Sequence, residues 1–305
     1  MQVNIAHLEK PVSRLVLGVD NQTDIGAASA IFDDFVGRGG NAFDTAFIYG
    51  NGVCEAVFGQ WLHATGSREQ FVVIGKGAHT PHCTPEALTA QLQVSLERLQ
   101  TDVVDVYMLH RDNPDVPVGE FVDVLNAHAR AGRMRAFGGS NWTLERVDAA
   151  NRYAKERGLQ GFSVLSNNFS LARMVDPPWG GCLSVADAPS RAWLMESGLT
   201  LLPWSSQARG FFVRADPDDH DDAELERCWY SPDNFERLKR ARTLAQERGV
   251  SAIQIALAYV LHQPFPTLPL IGPRNTSETA GSFAALEIML TPEEVQWLNL
   301  ERDEV

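Results

Sequence analysis

At 305 residues and 44% hydrophobic content, the chain can bury a sizeable core and suits one large α/β unit over residues 1–305. A formal net charge of −13 leaves no basic footprint, which argues against nonspecific nucleic-acid or anionic-membrane binding. Cys54, Cys83, Cys182 and Cys228 lie far apart, as reduced thiols of a cytoplasmic protein do, and neither a leader nor an apolar run approaching ~18 residues is present.

From Val12 to Gly18 the chain reads as a first strand, with Asp20 just beyond its carboxyl end. A helix follows from Asp24 to Arg38, its apolar stripe made by Ile25, Ala28, Ile31, Phe32 and Phe35, and Gly39-Gly40 stop it. The second strand starts at Asn41 and closes on Asp44, leaving Tyr49 in the next loop. A helix from Cys54 to Ala64 precedes the strand Phe71–Gly75, which runs into Lys76; Thr84-Pro85-Glu86 caps a helix to Leu99; and the strand Val103–Leu109 runs into His110. Helices over Val118–Ala131 and Thr143–Arg157 alternate with strands over Met134–Gly139 and Gly161–Leu165. After a loop over Leu171–Ser190 come a short helix at Arg191–Glu196 and a strand at Leu199–Trp204. The stretch Phe211–Asp233 reads as irregular and acidic. Helices over Phe235–Arg248 and Ala252–His262, a last strand at Thr267–Ile271, and helices over Thr276–Leu286 and Pro292–Leu300 complete the chain.

Eight strands therefore recur every ~27 to 38 residues until a final gap of about 68, the βα rhythm of a (β/α)8 TIM barrel with an extended loop after its seventh strand and an extra C-terminal helix. An open Rossmann sheet is the competitor, but Gly18-Val19-Asp20-Asn21 stands where its glycine fingerprint belongs. In a barrel all strand ends meet at one mouth, so Asp44, Tyr49, Lys76 and His110 converge.

Their chemistry is complementary. A free phenol, with a pKa of about 10, is a poor acid at neutral pH. An ammonium at ~4 Å in an effective dielectric of ~20 favours its anion by roughly 4 kcal/mol, so Lys76 is expected to lower the Tyr49 pKa. Lys76 in turn needs an anion against desolvation, which Asp44 supplies. His110 is left to hydrogen-bond a substrate oxygen, and the set reads as a proton donor to a carbonyl.

These four residues, in this order, resemble the catalytic tetrad of the aldo-keto reductase superfamily. The resemblance extends to Phe137-Gly138-Gly139-Ser140-Asn141-Trp142, to Trp204-Ser205-Ser206-Gln207-Ala208-Arg209-Gly210 and to Ile271-Gly272-Pro273-Arg274. It implies that Tyr49 is the general acid/base, that Ser140, Asn141 and Ser166 face the nicotinamide carboxamide, and that Trp204 stacks on its ring. It further implies that Ser205, Ser206, Gln207 and Gly210 fold over the pyrophosphate, with Asp20 and Gly272 among the cofactor contacts and Arg274 on the 2′-phosphate of NADP. Glu278 and Ser282 depart from the neutral or basic residue and the Asn common there, and Ser166 replaces a Gln. Arg274 favours NADP, and Glu278, which would repel a phosphate, leaves NAD as the alternative.

The cluster His79, His82 and Cys83 lacks a carboxylate or second thiol at ligand spacing, so no metal is expected. The acidic run from Asp216 to Glu226 reads as a solvated lid. Trp179, Phe211, Phe212, Trp229 and Tyr230 are candidate pocket walls for a compact polar substrate such as a sugar or ketone. The expected activity is NAD(P)(H)-dependent reduction of a carbonyl compound, or the reverse. The alternatives are a lyase or epimerase with an internal redox cycle on held NAD(P), and a cofactor-sensing regulatory subunit.

Overall fold

The structure, a computed structural model, describes residues 2–304. Eight parallel strands form one curled sheet: β1 (Val16–Gly18), β2 (Ala42–Asp44), β3 (Val72–Gly77), β4 (Val104–Leu109), β5 (Met134–Ser140), β6 (Val164–Ser166), β7 (Thr200–Leu201) and β8 (Leu270–Ile271). Neighbours in sequence are neighbours in space from β1 to β7, and β8 pairs with β1. Backbone bonds from Leu201 to the Pro266 carbonyl at 2.9 Å and from Leu268 to the Leu201 carbonyl at 2.8 Å bring the eighth-strand segment against β7, closing the ring. The fold is a (β/α)8 TIM barrel.

Strand parity explains both its layers. Val16, Ala42, Val72, Ile74, Val106, Met108, Ala136, Val164, Leu202 and Leu268 form the interior cluster, while Leu17, Phe43, Val73, Tyr107, Leu109, Phe137 and Leu165 belong to the larger core packed under the helices. Alternate side chains on a strand face opposite ways, so both faces are apolar where helices cover the outside.

The helices are α1 (Ile25–Gly37), α2 (Val53–Thr65), α3 (Pro85–Leu99), α4 (Val118–Arg130), α5 (Leu144–Glu156) and α6 (Ala188–Ser197), followed by α7 (Phe211–Arg214), α8 (Ala223–Trp229), α9 (Pro232–Arg248), α10 (Ala252–Leu261), α11 (Thr276–Ala284) and α12 (Pro292–Leu298). Caps fall where the sequence puts them: Asp24, Thr84 and Thr143 each accept a hydrogen bond from a first-turn N–H. Because Thr143 caps α5, Ser140 and Asn141 are free of that task.

Three expectations are corrected. The stretch Val12–Gly18 is not one strand. Val12–Ser13 pairs antiparallel with Gln2–Val3 in a small hairpin, and the barrel strand starts afresh at Val16. Its Ile5 and Val12 join the interior cluster, so the hairpin floors the barrel at the amino ends of its strands. Lys76 lies within β3, which runs on to Gly77. The region Phe211–Asp233 is largely helical: α7 buries Phe211 and Phe212, and α8 buries Leu225, Cys228 and Trp229. The acidic residues hid that apolar stripe.

Candidate active site

The inward series of six strands, β2 to β7, continues past its apolar layers into polar residues at the carboxyl ends. Ala42 is followed by Asp44, Ile74 by Lys76, Met108 by His110, Gly138 by Ser140, Val164 by Ser166 and Leu202 by Trp204, two residues on in every case. Gly138 has to be glycine, since a Cβ there would lie 1.9 Å from the Val164 carbonyl oxygen. Parity thus delivers Asp44, Lys76 and His110 to one mouth, and the loop after β2 brings Tyr49 to them.

Lys76 and Asp44, each 2% or less exposed, form a buried ion pair through Nζ and Oδ1. The same Nζ donates to the Thr45 carbonyl at 3.2 Å and to the Tyr49 hydroxyl at 3.3 Å. Three N–H donors thereby meet three acceptors, which leaves the phenolic proton directed away from Lys76. The Tyr49 loop is pinned to β3, with Thr45 N–H donating to the Ile74 carbonyl and Phe47 N–H to the Lys76 carbonyl, both at 2.8 Å. It then turns through left-handed Gly50, Asn51 and Gly52. The His110 ring stands edge-on to Tyr49 at 5.7 Å, its Nδ1 buried without a partner.

Burial dominates the electrostatics. It pushes the Tyr49 phenol up to about 12, outweighing the pull of Lys76, so the expected acidification of this hydroxyl does not occur in the free protein. Burial also raises Asp44, against Lys76. For Lys76 burial works downward, but Asp44 and Tyr49 together hold the ammonium above its ordinary value. The proton of the pair sits on Lys76, where three acceptors receive it. Burial first, then the charges of Lys76 and Arg111, keeps His110 well below the ordinary imidazole value and therefore neutral.

Opposite the tetrad, Ser140, Asn141, Ser166 and Trp204 are joined. Ser140 Oγ donates to the Ser166 carbonyl at 2.9 Å, Asn141 Nδ2 to Ser140 Oγ at 3.1 Å, and Trp204 Nε1 to Asn141 Oδ1 at 3.2 Å. Ser166 Oγ and Asn167 Oδ1 are buried with no partner. Orphaned polar atoms at a strand end call for a ligand that brings both donors and acceptors, and a nicotinamide carboxamide is such a group. The residues present fit it.

The loop beyond β7 winds through positive φ at Ser205, Ala208, Arg209 and Gly210, an unusual run for side-chain-bearing residues. Ser206 Oγ reaches the Leu270 carbonyl at 2.6 Å and ties that loop to β8, while Gln207 stays half-buried. Asp20 is exposed at the end of β1, and Gly272 and Arg274 follow β8. Glu278 folds back onto the start of α11, accepting from Arg274 N–H at 2.9 Å and from Asn275 Nδ2 at 3.3 Å. Ser282 is buried and spends its hydroxyl on the Glu278 carbonyl at 3.0 Å.

Of the expected pocket walls, Phe211, Phe212 and Trp229 are core residues at 3% exposure or less and line nothing. Trp179 is 49% exposed, with its ring 6.2 Å from that of Trp204 and the Arg209 guanidinium 5.0 Å above its face. Arg209 pairs with Glu224 at 2.9 Å, so part of the acidic run fastens the rim instead of remaining wholly solvated. Cys83 Sγ bonds the Ala78 carbonyl at 3.1 Å while His82 is exposed; among the described residues no group of three or more His, Cys, Asp or Glu is gathered as a metal site. A depression of about 530 Å³ beside Leu96, Gln100 and Arg133 lies at the opposite end of the barrel.

Sequence reasoning passed over Asn167, Arg98 and Arg111. The repeated Ser-Asn dipeptide at the ends of β5 and β6 signals the first. Arg98 donates from Nη1 to the Phe47 carbonyl at 2.9 Å and to buried Glu55 at 3.0 Å, holding the Tyr49 loop from behind; no local pattern announces it.

Comparison with known proteins bears on the family and the fold. Residues 17–299 match the model of the aldo/keto reductase family. An uncharacterized oxidoreductase, YrpG, of Bacillus subtilis is 28% identical over 94% of this chain and 91% of its own. The norsolorinic acid reductase stcV of Emericella nidulans is 27% identical over 88% of this chain and 70% of its own. An aldo/keto reductase from Klebsiella pneumoniae, solved with NADP and acetate, superposes with a TM-score of 0.73 at 23% identity, covering 100% of this chain and 96% of that one. With its family model spanning nearly the whole barrel, the chain belongs to the aldo/keto reductase family.

Proposed function

We propose that this NAD(P)H-dependent oxidoreductase reduces a carbonyl compound to an alcohol, or runs the reverse, with Tyr49 as the general acid and base. The observation that carries the reading is the threefold use of Lys76 Nζ, which fixes the Tyr49 hydroxyl at 3.3 Å and leaves its proton directed away from Lys76. A bound reduced nicotinamide supplies the hydride to the carbonyl carbon.

Neutral His110 orients the carbonyl oxygen by hydrogen bonding beside Tyr49, and Tyr49 gives that oxygen its proton as negative charge develops there. The ammonium of Lys76 steadies the phenolate that remains, and Asp44 keeps that ammonium charged in a dry site. The high Tyr49 pKa suits this order of events: the phenol stays protonated until charge appears on the substrate. Ser140, Asn141, Ser166 and Asn167 hold the carboxamide, Trp204 covers the ring, and Ser205, Ser206, Gln207 and Gly210 with Asp20 and Gly272 border the pyrophosphate path. NADP is the favoured cofactor through Arg274, while Glu278, whose carboxylate accepts from the Arg274 N–H and Asn275 Nδ2 just ahead of α11, is the residue that admits NAD. One barrel domain houses both sites.

Tyr49→Phe tests the assignment. Turnover is expected to fall by at least about 10²-fold, the lower range for losing a positioned acid, with the dissociation constants of NADPH and NADH unchanged in fluorescence titration. Undiminished turnover removes Tyr49 from the chemistry.

A further inference from the structure

Arg111 follows His110 directly and is 6% exposed. A buried guanidinium ordinarily sits against a carboxylate. Its neighbour Asp112 is already taken, since both of its oxygens accept from Arg146 at 2.8 Å. Among the described residues no carboxylate stands within 4.0 Å of Arg111. Lys76 is neutralised by Asp44 and Arg209 by Glu224. The charge of Arg111 is not.

Its donors go to poorer partners. Nη1 reaches the His110 carbonyl at 2.9 Å, Nη2 reaches the Cys182 sulfur at 3.3 Å, and Nε is buried with no acceptor. Nε and Nη2 form the side edge of the guanidinium, whose two N–H bonds run parallel and match the two oxygens of a carboxylate. One of these donors is bare and the other meets a thiol, a weak acceptor. Gly181 lies beside Nε, and a Cβ built on it would stand 3.7 Å from Nε and 3.8 Å from Cδ. The exposed Gly180-Gly181 turn carries no side chain there, so a ligand displaces only backbone and a thiol contact. On the other flank the half-buried His79 ring sits 4.9 Å from that of His110.

We propose that Arg111 seats a carboxylate of the substrate, so that carboxylated aldehydes and ketones are the preferred carbonyl compounds. This rests on reading His110 and Tyr49 as the place of the carbonyl. Calorimetric titration of the whole protein with benzoate and with benzamide, which differ in charge and little in shape, tests the seat. Benzoate is expected to bind at least tenfold tighter, Arg111→Gln to abolish that difference, and Arg111→Lys, which keeps the charge without the fork, to retain part of it. Equal affinity in the unaltered protein, binding of neither, or a preference that survives Arg111→Gln overturns the proposal; the unaltered protein decides it alone where a variant fails to fold. Reduction of 4-carboxybenzaldehyde and benzaldehyde with NADPH is read separately. A protein that prefers benzoate through Arg111 yet reduces neither aldehyde keeps the seat and loses the reductase reading. One that reduces both equally and binds benzoate no better than benzamide keeps the reductase reading and loses the seat.

Discussion

Lys76 shows how one side chain is made to serve a site. A lysine at 2% exposure pays for its burial through Asp44, and the surplus donors then orient Tyr49. Neighbouring His110 works by the opposite means, since burial and surrounding charge keep it neutral. That has a consequence for stability. In the unfolded chain the imidazole takes up a proton near pH ~6.5, while the folded one resists. His110 therefore contributes stability fully above that pH and loses it as pH falls, with a slope approaching ~1.4 kcal/mol per pH unit. Urea unfolding at pH 7 and pH 5 is expected to show a smaller acid loss for His110→Gln than for the unaltered protein. At the alkaline end the sign reverses. Tyr49, pushed up to about 12, contributes stability that is intact below its unfolded pKa and disappears as pH rises through the folded one. That Asp44, Tyr49, Lys76 and His110 would meet was legible because their types and spacing are distinctive. The net direction of the Tyr49 shift was not, because desolvation depends on how completely the loop closes over the ring.

At the level of elements, the Tyr49 loop is held by backbone bonds to β3 and by the α2–α3 pair Glu55 and Arg98. Glu55 is fully buried, and one of its oxygens has no partner within the protein. Arg98→Met strands that carboxylate and frees the Phe47 carbonyl. It is expected to cost about 3 kcal/mol in urea unfolding and to lower turnover more than cofactor affinity. Equal stability would mean that the α2–α3 pair does not hold the loop. Helix starts were readable from Asp24, Thr84 and Thr143 because capping is local chemistry. The two helices of Phe211–Asp233 were hidden because their apolar faces are short and set among Asp and Glu. The break between Ser13 and Val16 was equally hidden, since a hairpin strand and a barrel strand share one alternating pattern.

For the whole molecule, the eightfold rhythm was legible because each βα unit repeats the same demand to cover an apolar strand. Ring closure through Leu201, Pro266 and Leu268 lies in nonlocal backbone bonds that no spacing rule carries. The hairpin floor can be tested at this scale. Ile5, 1% exposed, meets the interior cluster from below, far from the tetrad. Ile5→Ala is expected to lose about 2–5 kcal/mol of stability while leaving turnover per folded molecule unchanged, as measured by urea unfolding and by activity at a temperature where both proteins are folded.

The filled interior has a further effect on traffic. Side chains fill the barrel, so on the proposed reading a carbonyl compound enters, and its alcohol leaves, only at the carboxyl mouth, beside Trp179 and Arg209. On that reading, changes meant to alter access belong in the Trp179–Cys182 turn and the Arg209–Glu224 latch, with the strands left alone.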